Sequence, residues 1–317
     1  MAFPRPAVLV LAFNRPSATL QLIDALKPVA PRVVYAAVDG PRVGVADDER
    51  RCDEVRHLLN TLPWPHALRT LYREQNLGCG PAVAGAIGWF FGEEPEGVIL
   101  EDDILPHPSM FRFFAEMLAR YREDERVMHV SATNYAGARG DADYFFSRYV
   151  SIWGWATWRR AWNHYSFDLS GWRDGPDVLH HPGVEWRARR HLAFQFDRGA
   201  IGLGTWDFQW MYAVMRYGLA ITPSRNLAVT TGFGADATSL RSVPQKRPQL
   251  QEMPPELMHP SSVEADADLD RRLFAEQLSR ASFAWELSRY VVSSPRLYHS
   301  LGRVVRWAAS TGRRLAS

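Results

Sequence analysis

Apolar and polar positions along the first hundred residues follow two rhythms. Residues 8–13, 33–38, 67–72 and 97–100 form short runs of strand length. Between them, apolar residues fall at helical spacing. Residues 17–26 carry Leu20, Leu22, Ile23 and Leu26 behind Ser17, a residue suited to capping a helix start. Residues 47–59 carry Val55, Leu58 and Leu59. Residues 78–91 open on Gly78-Cys79-Gly80-Pro81, with proline near the first turn. Strand and helix in repeated succession predict a parallel sheet covered by helices. Such sheets bind ligands beyond the carboxyl ends of their strands. Asn14-Arg15, Asp39 and Glu101-Asp102-Asp103 all fall at those ends.

The rhythm changes after an amphipathic helix expected over residues 108–120. Eight of the twelve tryptophans lie between positions 153 and 210, among glycines and short irregular stretches. This pattern predicts a second lobe or large insertion in place of further strand-helix units. Residues 241–260 are rich in Pro, Gln and Arg and read as an exposed connection. Residues 265–290 carry a helical pattern. The remaining tail holds Arg296, Arg303, Arg306, Arg313 and Arg314 with no acidic residue.

Composition narrows the functional classes. With 46% apolar residues the chain supplies an ample core, and its net charge of +2 gives no overall bias toward polyanions. Of the 37 basic residues only Lys27 and Lys246 are lysines. Two cysteines, Cys52 and Cys79, build neither a disulfide framework nor a thiolate zinc site, and fit a reducing compartment. Residues 7–13 are too few to span a membrane and lack a cleavage signature. A cytoplasmic protein is therefore expected. The arginine tail, interrupted by Pro295, is either a helix packed on the body or a peripheral contact with an anionic membrane surface. The phosphate-loop motif GxxxxGK[ST] and the full dinucleotide fingerprint are missing. No nucleic-acid-binding module is recognisable, and no nucleic-acid partner is expected.

Three consecutive carboxylates after the apolar run Val98-Ile99-Leu100 are costly in a purely structural turn, because like charges repel. A hard divalent cation is a natural partner, the alternative being a solvated acidic turn. Mg²⁺ is commonly held by one or two carboxylates with substrate phosphates, and so placed it neutralises a departing diphosphate.

The blocks VLVLAFNRP, VDGPR, REQNLGCGPAVAGAIGWFF and GVILEDDILPHPSMFRF together resemble the nucleotide-sugar half of a GT-A-type glycosyltransferase. SIWGWATWRRAW, GTWDFQWMYAVMRYGLAITPSRN and TGFGADATS continue the likeness, giving coverage of about residues 7–240. They are similar to a bacterial sugar-transferase family carrying EDD in place of DxD. The layout is also similar to N-acetylglucosaminyltransferase I.

The resemblance implies a three-layer α/β/α sandwich with a mainly parallel central sheet, a Trp-rich acceptor region and a helical C-terminal tail. The expected divisions are a nucleotide-sugar half over residues 1–107, an acceptor half of the same domain over 108–245, and a linker with basic tail over 246–317. It implies a hexosyl- or N-acetylhexosaminyltransferase of the cell envelope, using a UDP-linked donor, Mn²⁺ or Mg²⁺, and a glycan or lipid-linked acceptor.

By the same resemblance, Asp103 takes the metal, while Arg15, Asp39, Asn76, Gly78, Glu101 and Asp102 shape the donor site. Trp153, Gly154 and Trp155 line the junction of donor sugar and acceptor. Trp206 is a further expected sugar contact, whereas Trp158, Trp162 and Trp172 are expected in the core. Asp207, in Trp206-Asp207-Phe208-Gln209-Trp210, is the base of an inverting transfer. Gln209 would take its place if the alignment slips, and Asp168 and Asp197 are reserve bases. Gly232, Phe233, Gly234, Asp236 and Thr238 form a mobile loop ordering over bound donor. Where many relatives carry a histidine after this loop, this chain has Ser239.

Other histidines carry less. His107 reads as a surface residue, and His180-His181 lack the companions of a zinc site. Two competing functions remain. One is a sugar-nucleotide pyrophosphorylase, against which the loop Leu11-Ala12-Phe13-Asn14-Arg15 lacks the expected Gly-rich, Lys-containing form. The other is a carbohydrate-binding protein without turnover, against which Glu101-Asp102-Asp103 and Asp207 stand.

Overall fold

The computed structural model describes residues 5–137, 141–202, 205–232 and 249–278. The first half alternates β1 (Ala7–Ala12), α1 (Pro16–Leu26), β2 (Val33–Val38), α2 (Asp48–Asn60), β3 (Ala67–Tyr72), α3 (Cys79–Glu93) and β4 (Glu96–Glu101). Then follow β5 (Ile104–Pro106), α4 (Pro108–Arg120), β6 (Val127–Ser131), β7 (Tyr144–Ser147) and β8 (Trp155–Trp158). The helices α5 (Arg159–Trp162), α6 (Trp186–Ala200) and α7 (Asp207–Tyr217) precede β9 (Leu219–Pro223), β10 (Ala228–Thr230) and α8 (Ala267–Leu273).

Among the described residues an eight-stranded sheet runs β3-β2-β1-β4-β8-β6-β9-β7. The strands β3, β2, β1 and β4 are parallel, as the strand-helix rhythm requires. β8 enters antiparallel between β4 and β6, and β7 lies antiparallel on β9. The Trp-rich stretch thus contributes β8 to the sheet as well as the helices covering it. The sheet is continuous across position 107.

Period-two alternation of side chains sends the two faces of each strand into different cores. Val8, Val10, Val34, Ala36, Val98 and Leu100 pack on one side with Leu22, Ile23 and Leu26 of α1, Val55 and Leu59 of α2, and Phe113 and Met117 of α4. Leu9, Leu11, Tyr35, Ala37 and Ile99 face the other side, with Ile87 and Phe90 of α3 and with Trp162, Trp206 and Trp210. The result is a three-layer α/β/α sandwich, mainly parallel in its first half.

α4 shows how local sequence builds a layer. Pro108 occupies its first turn and His107 caps it, the ring Nδ1 accepting from Ser109 N at 3.2 Å. Met110, Phe113, Phe114 and Met117 recur at i, i+3, i+4 and i+7 and are buried. Each contributes about 1.5–3 kcal/mol by burial.

Three expectations shift in detail. α1 starts at Pro16 with Arg15 as its flanking residue, so Ser17 lies inside the first turn and makes no cap. Proline at the first helical position has no N–H to satisfy, so the helix can begin there. β4 reaches Glu101, whose backbone pairs with Leu11. Trp155 and Trp206, expected at a sugar, are 1% and 2% exposed. Trp155 stacks between His129, at 5.0 Å, and Trp206, at 5.7 Å. His129 Nδ1 accepts from Trp210 Nε1 at 3.0 Å, and burial drives its pKa down to about 3, which fixes a neutral ring.

The arginine tail, most of the expected 265–290 helix, and Phe233, Gly234, Asp236, Thr238 and Ser239 lie outside the described residues. Among the described residues no helix is long and apolar enough to cross a membrane.

Candidate active site

The chain leaves β1 through α1 to β2 on one side, whereas β4 lies on the other side of β1. This reversal opens a crevice at the carboxyl ends of β1 and β4, the position where open α/β sheets bind ligands. Arg15 follows β1 there, Asp39 follows β2, and Glu101 ends β4.

Strand parity distributes the triplet. Glu101 pairs with Leu11 and continues the parity of Ile99, facing the layer that holds α7. Asp102 is anchored by its N–H donating to Leu11 O at 2.9 Å and is 1% exposed. The guanidinium of Arg15 spans it and its neighbour. Nη2 donates to Asp102 Oδ1, Nε to Asp102 Oδ2 at 3.4 Å, and Nη1 to Asp103 Oδ2 at 2.8 Å. The planar fork is suited to this double engagement.

Asp102 and Glu101 differ electrostatically. Burial lifts Asp102 to about 6 against the pull of Arg15, leaving it ionised at neutral pH. Burial, then the charges of Asp103 and Asp102, lift Glu101 to about 8. Asp103 is held from behind by the β5–β10 pair. Thr231 N donates to its carbonyl at 2.8 Å, and Gly232 lies directly against its carboxylate.

Asp39, Asn76 and Gly78 also come together, as a brace. The Asp39 carboxylate accepts from Gly40 N at 3.0 Å, Asn76 Nδ2 at 3.0 Å, Leu77 N at 3.1 Å and Gly78 N at 3.2 Å. These bonds occupy its acceptor capacity and fix the loop leading into α3. Gly78, with φ of 78° and ψ of 161°, adopts a conformation reserved for glycine. Beside the brace, Asp48 accepts from Asn14 Nδ2 at 2.7 Å and from both arms of Arg42, which also covers the Phe13 ring.

Asp207 is half-buried in the first turn of α7 and accepts from the Thr205 hydroxyl. Burial raises its pKa, opposed by its own and Phe208 backbone N–H and by Arg198. Asp207 and Glu101 share one field, since the charge of Asp207 helps raise Glu101. Gln209 instead points inward, 2% exposed, with Nε2 donating to Phe167 O at 3.2 Å.

Two further residues share the field of Asp207 and escaped sequence reasoning. The Cys79 thiol, at the start of α3, is pushed up to about 12 by desolvation and then by Glu101 and Asp207. Tyr165 feels the charge of Asp207, and its ring stacks on Trp162 at 4.2 Å. Its buried hydroxyl has no hydrogen-bond partner among the described residues. The GCGP turn marks Cys79 in sequence, whereas nothing local marks Tyr165.

Other candidates have structural duties. Trp153 is half-buried edge-on to Tyr135, and Gly154, at φ of 76°, packs under Ala228, Ala132 and Ile104. Asp168 accepts from Ser166 Oγ and Ser170 N in an exposed turn. Asp197 accepts from Trp172 Nε1 at 3.0 Å.

A cleft of about 400 Å³ opens beside the clasp, lined by Arg15, Ser17, Arg50, Arg51, Asp103 and Gly232 among others. Among the described residues no three His, Cys, Asp or Glu side chains are gathered as a metal cage. Asp103 Oδ1 has no partner among them, so Asp103 fits an ion attached through one carboxylate and completed by phosphate oxygens.

No family model matches this chain, and no curated protein matches it. It is similar to the mannosyltransferase PcManGT from Pyrobaculum calidifontis, solved in complex with GDP-Man and Mn²⁺. That likeness has 17% identity, covers 67% of this chain and 68% of the other, and has a TM-score of 0.38. It is similar to TarS 1–349 from S. aureus at 10% identity, covering 71% of this chain and 60% of that one, with a TM-score of 0.39. It is also similar to the UTP-bound UGPase from Acinetobacter baumannii at 7% identity, covering 68% and 85%, with a TM-score of 0.32. Likenesses this loose assign no residue a role.

Proposed function

We propose that this chain is a glycosyltransferase moving a sugar from a nucleoside-diphosphate donor, UDP-linked, to a hydroxyl of a glycan or lipid-linked acceptor, with inversion. The observation carrying this reading is the crevice between β1 and β4. There Arg15 clasps Asp102 and Asp103, beside Glu101 at the end of β4.

Asp103 is the residue for Mn²⁺ or Mg²⁺, and such an ion supplies charge neutralisation for a departing diphosphate. Arg15 adds a fixed cation beside it. Glu101, at the end of β4, is the residue for a hydroxyl of the donor sugar. Asp207 accepts the proton of the acceptor hydroxyl at its carboxylate, and its raised pKa makes it a stronger base than an exposed aspartate. A base on the face opposite the leaving diphosphate gives inversion, as in inverting hydrolysis. Asp39, Asn76 and Gly78 shape the nucleotide end by fixing the β3–α3 loop. Gly232, against the Asp103 carboxylate, borders the donor cleft.

The test is binding of a panel of nucleotide sugars, with Mn²⁺ and with chelator, to wild type and Asp103→Ala. Metal-dependent binding of one donor, lost in the variant, supports the reading. Folded wild-type protein that binds none of them removes it and favours a glycan-binding role.

A further inference from the structure

The clasp places a cation where a divalent ion would also be drawn. Arg15 Nη1 lies 2.8 Å from Asp103 Oδ2, while Nε and Nη2 both reach Asp102. The two attachments are unequal. Asp102 is buried and engaged through both oxygens, and Asp103 is half-buried and engaged through one. Arg15 can therefore release Asp103 while remaining anchored on Asp102. Its side chain also borders the cleft of about 400 Å³ that holds Arg50 and Arg51 on another wall. A diphosphate entering that cleft meets the guanidinium and offers it new acceptor oxygens.

The charges oppose entry of a metal alone. A dication on Asp103 would lie beside the guanidinium, and the two repel in a partly dehydrated site. A diphosphate removes that conflict by pairing with both.

We infer that Arg15 is a displaceable counter-ion of Asp103, which makes divalent-cation binding conditional on a nucleoside diphosphate. The inference rests on the transferase reading of this crevice. Coupling of this kind is reciprocal: the diphosphate raises metal affinity by the factor by which the metal raises diphosphate affinity.

The experiment is Mn²⁺ titration followed by electron paramagnetic resonance of the free ion. Wild type and Arg15→Met are each measured alone, with UDP and with GDP, after circular dichroism confirms folding. Wild type should bind Mn²⁺ weakly alone and about tenfold or more tightly with the matching diphosphate. Arg15→Met should bind Mn²⁺ alone about fivefold or more tightly than wild type, and gain less from diphosphate. Should that variant not fold, Arg15→Gln removes the charge but keeps an amide that can donate to Asp102, and should also bind Mn²⁺ alone more tightly than wild type. Equal or weaker Mn²⁺ binding by the folded variant overturns the inference. If wild type still binds Mn²⁺ with a diphosphate, the transferase reading survives that result. Wild type that binds no Mn²⁺ with either diphosphate removes both.

Discussion

A methyl group placed on Gly232 would lie 2.0 Å from Asp103 Oδ2. The segment that carries Gly232 after β10 is fixed by Thr231 N donating to Asp103 O at 2.8 Å, and the carboxylate is held by Arg15. Neither side can yield without loss of a bond. Gly232→Ala should therefore turn Asp103 away from its present position. The expected loss of metal affinity is about 10- to 100-fold, as for groups that orient a ligand. Isothermal titration with Mn²⁺ and diphosphate measures it, with thermal unfolding as the control for folding.

Asp39 provides a separable case, since its carboxylate braces a loop. An amide at this position keeps one acceptor oxygen and brings two donors toward Asn76 Nδ2 and the N–H groups of Leu77 and Gly78. Asp39→Asn should cost about 1–3 kcal/mol of stability, the penalty for buried donors left unpaired. Urea unfolding checks this, and donor affinity should fall with it because the loop begins α3.

Acid sensitivity should trace partly to Asp48. Its hydrogen bonds from Arg42, then those from Asn14 and the Arg42 backbone, hold the carboxyl at about 2 against burial, below the usual aspartate range. A carboxyl with a lowered folded-state pKa stabilises the fold above its unfolded pKa. That contribution is lost as pH falls through the folded value. The stability difference between wild type and Asp48→Asn should therefore be full above about pH 4 and shrink toward about pH 2. Denaturant titrations across that range measure it.

The central elements were legible because their patterns are local. The apolar runs before Asn14-Arg15 and Glu101 gave strands β1 and β4, and β2, β3 and α4 fall on the expected residues. Long-range pairing was not legible. Nothing near Trp155 announces that β8 would insert between β4 and β6, burying that ring against His129 and Trp206. Clasping of Asp102 and Asp103 by Arg15 joins positions 87 and 88 residues apart. The Tyr165 ring is placed by its stacking on Trp162, through a loop whose course depends on the packed core beneath it.

The most direct test of the account is sugar transfer by Asp207→Asn, assayed with the donor that wild type binds. Asparagine preserves the shape at the start of α7 but cannot accept the acceptor's proton. Turnover should fall about 10²- to 10⁴-fold, the usual worth of a general base, with donor binding unchanged. Turnover near wild type would contradict the account by removing Asp207 as the base.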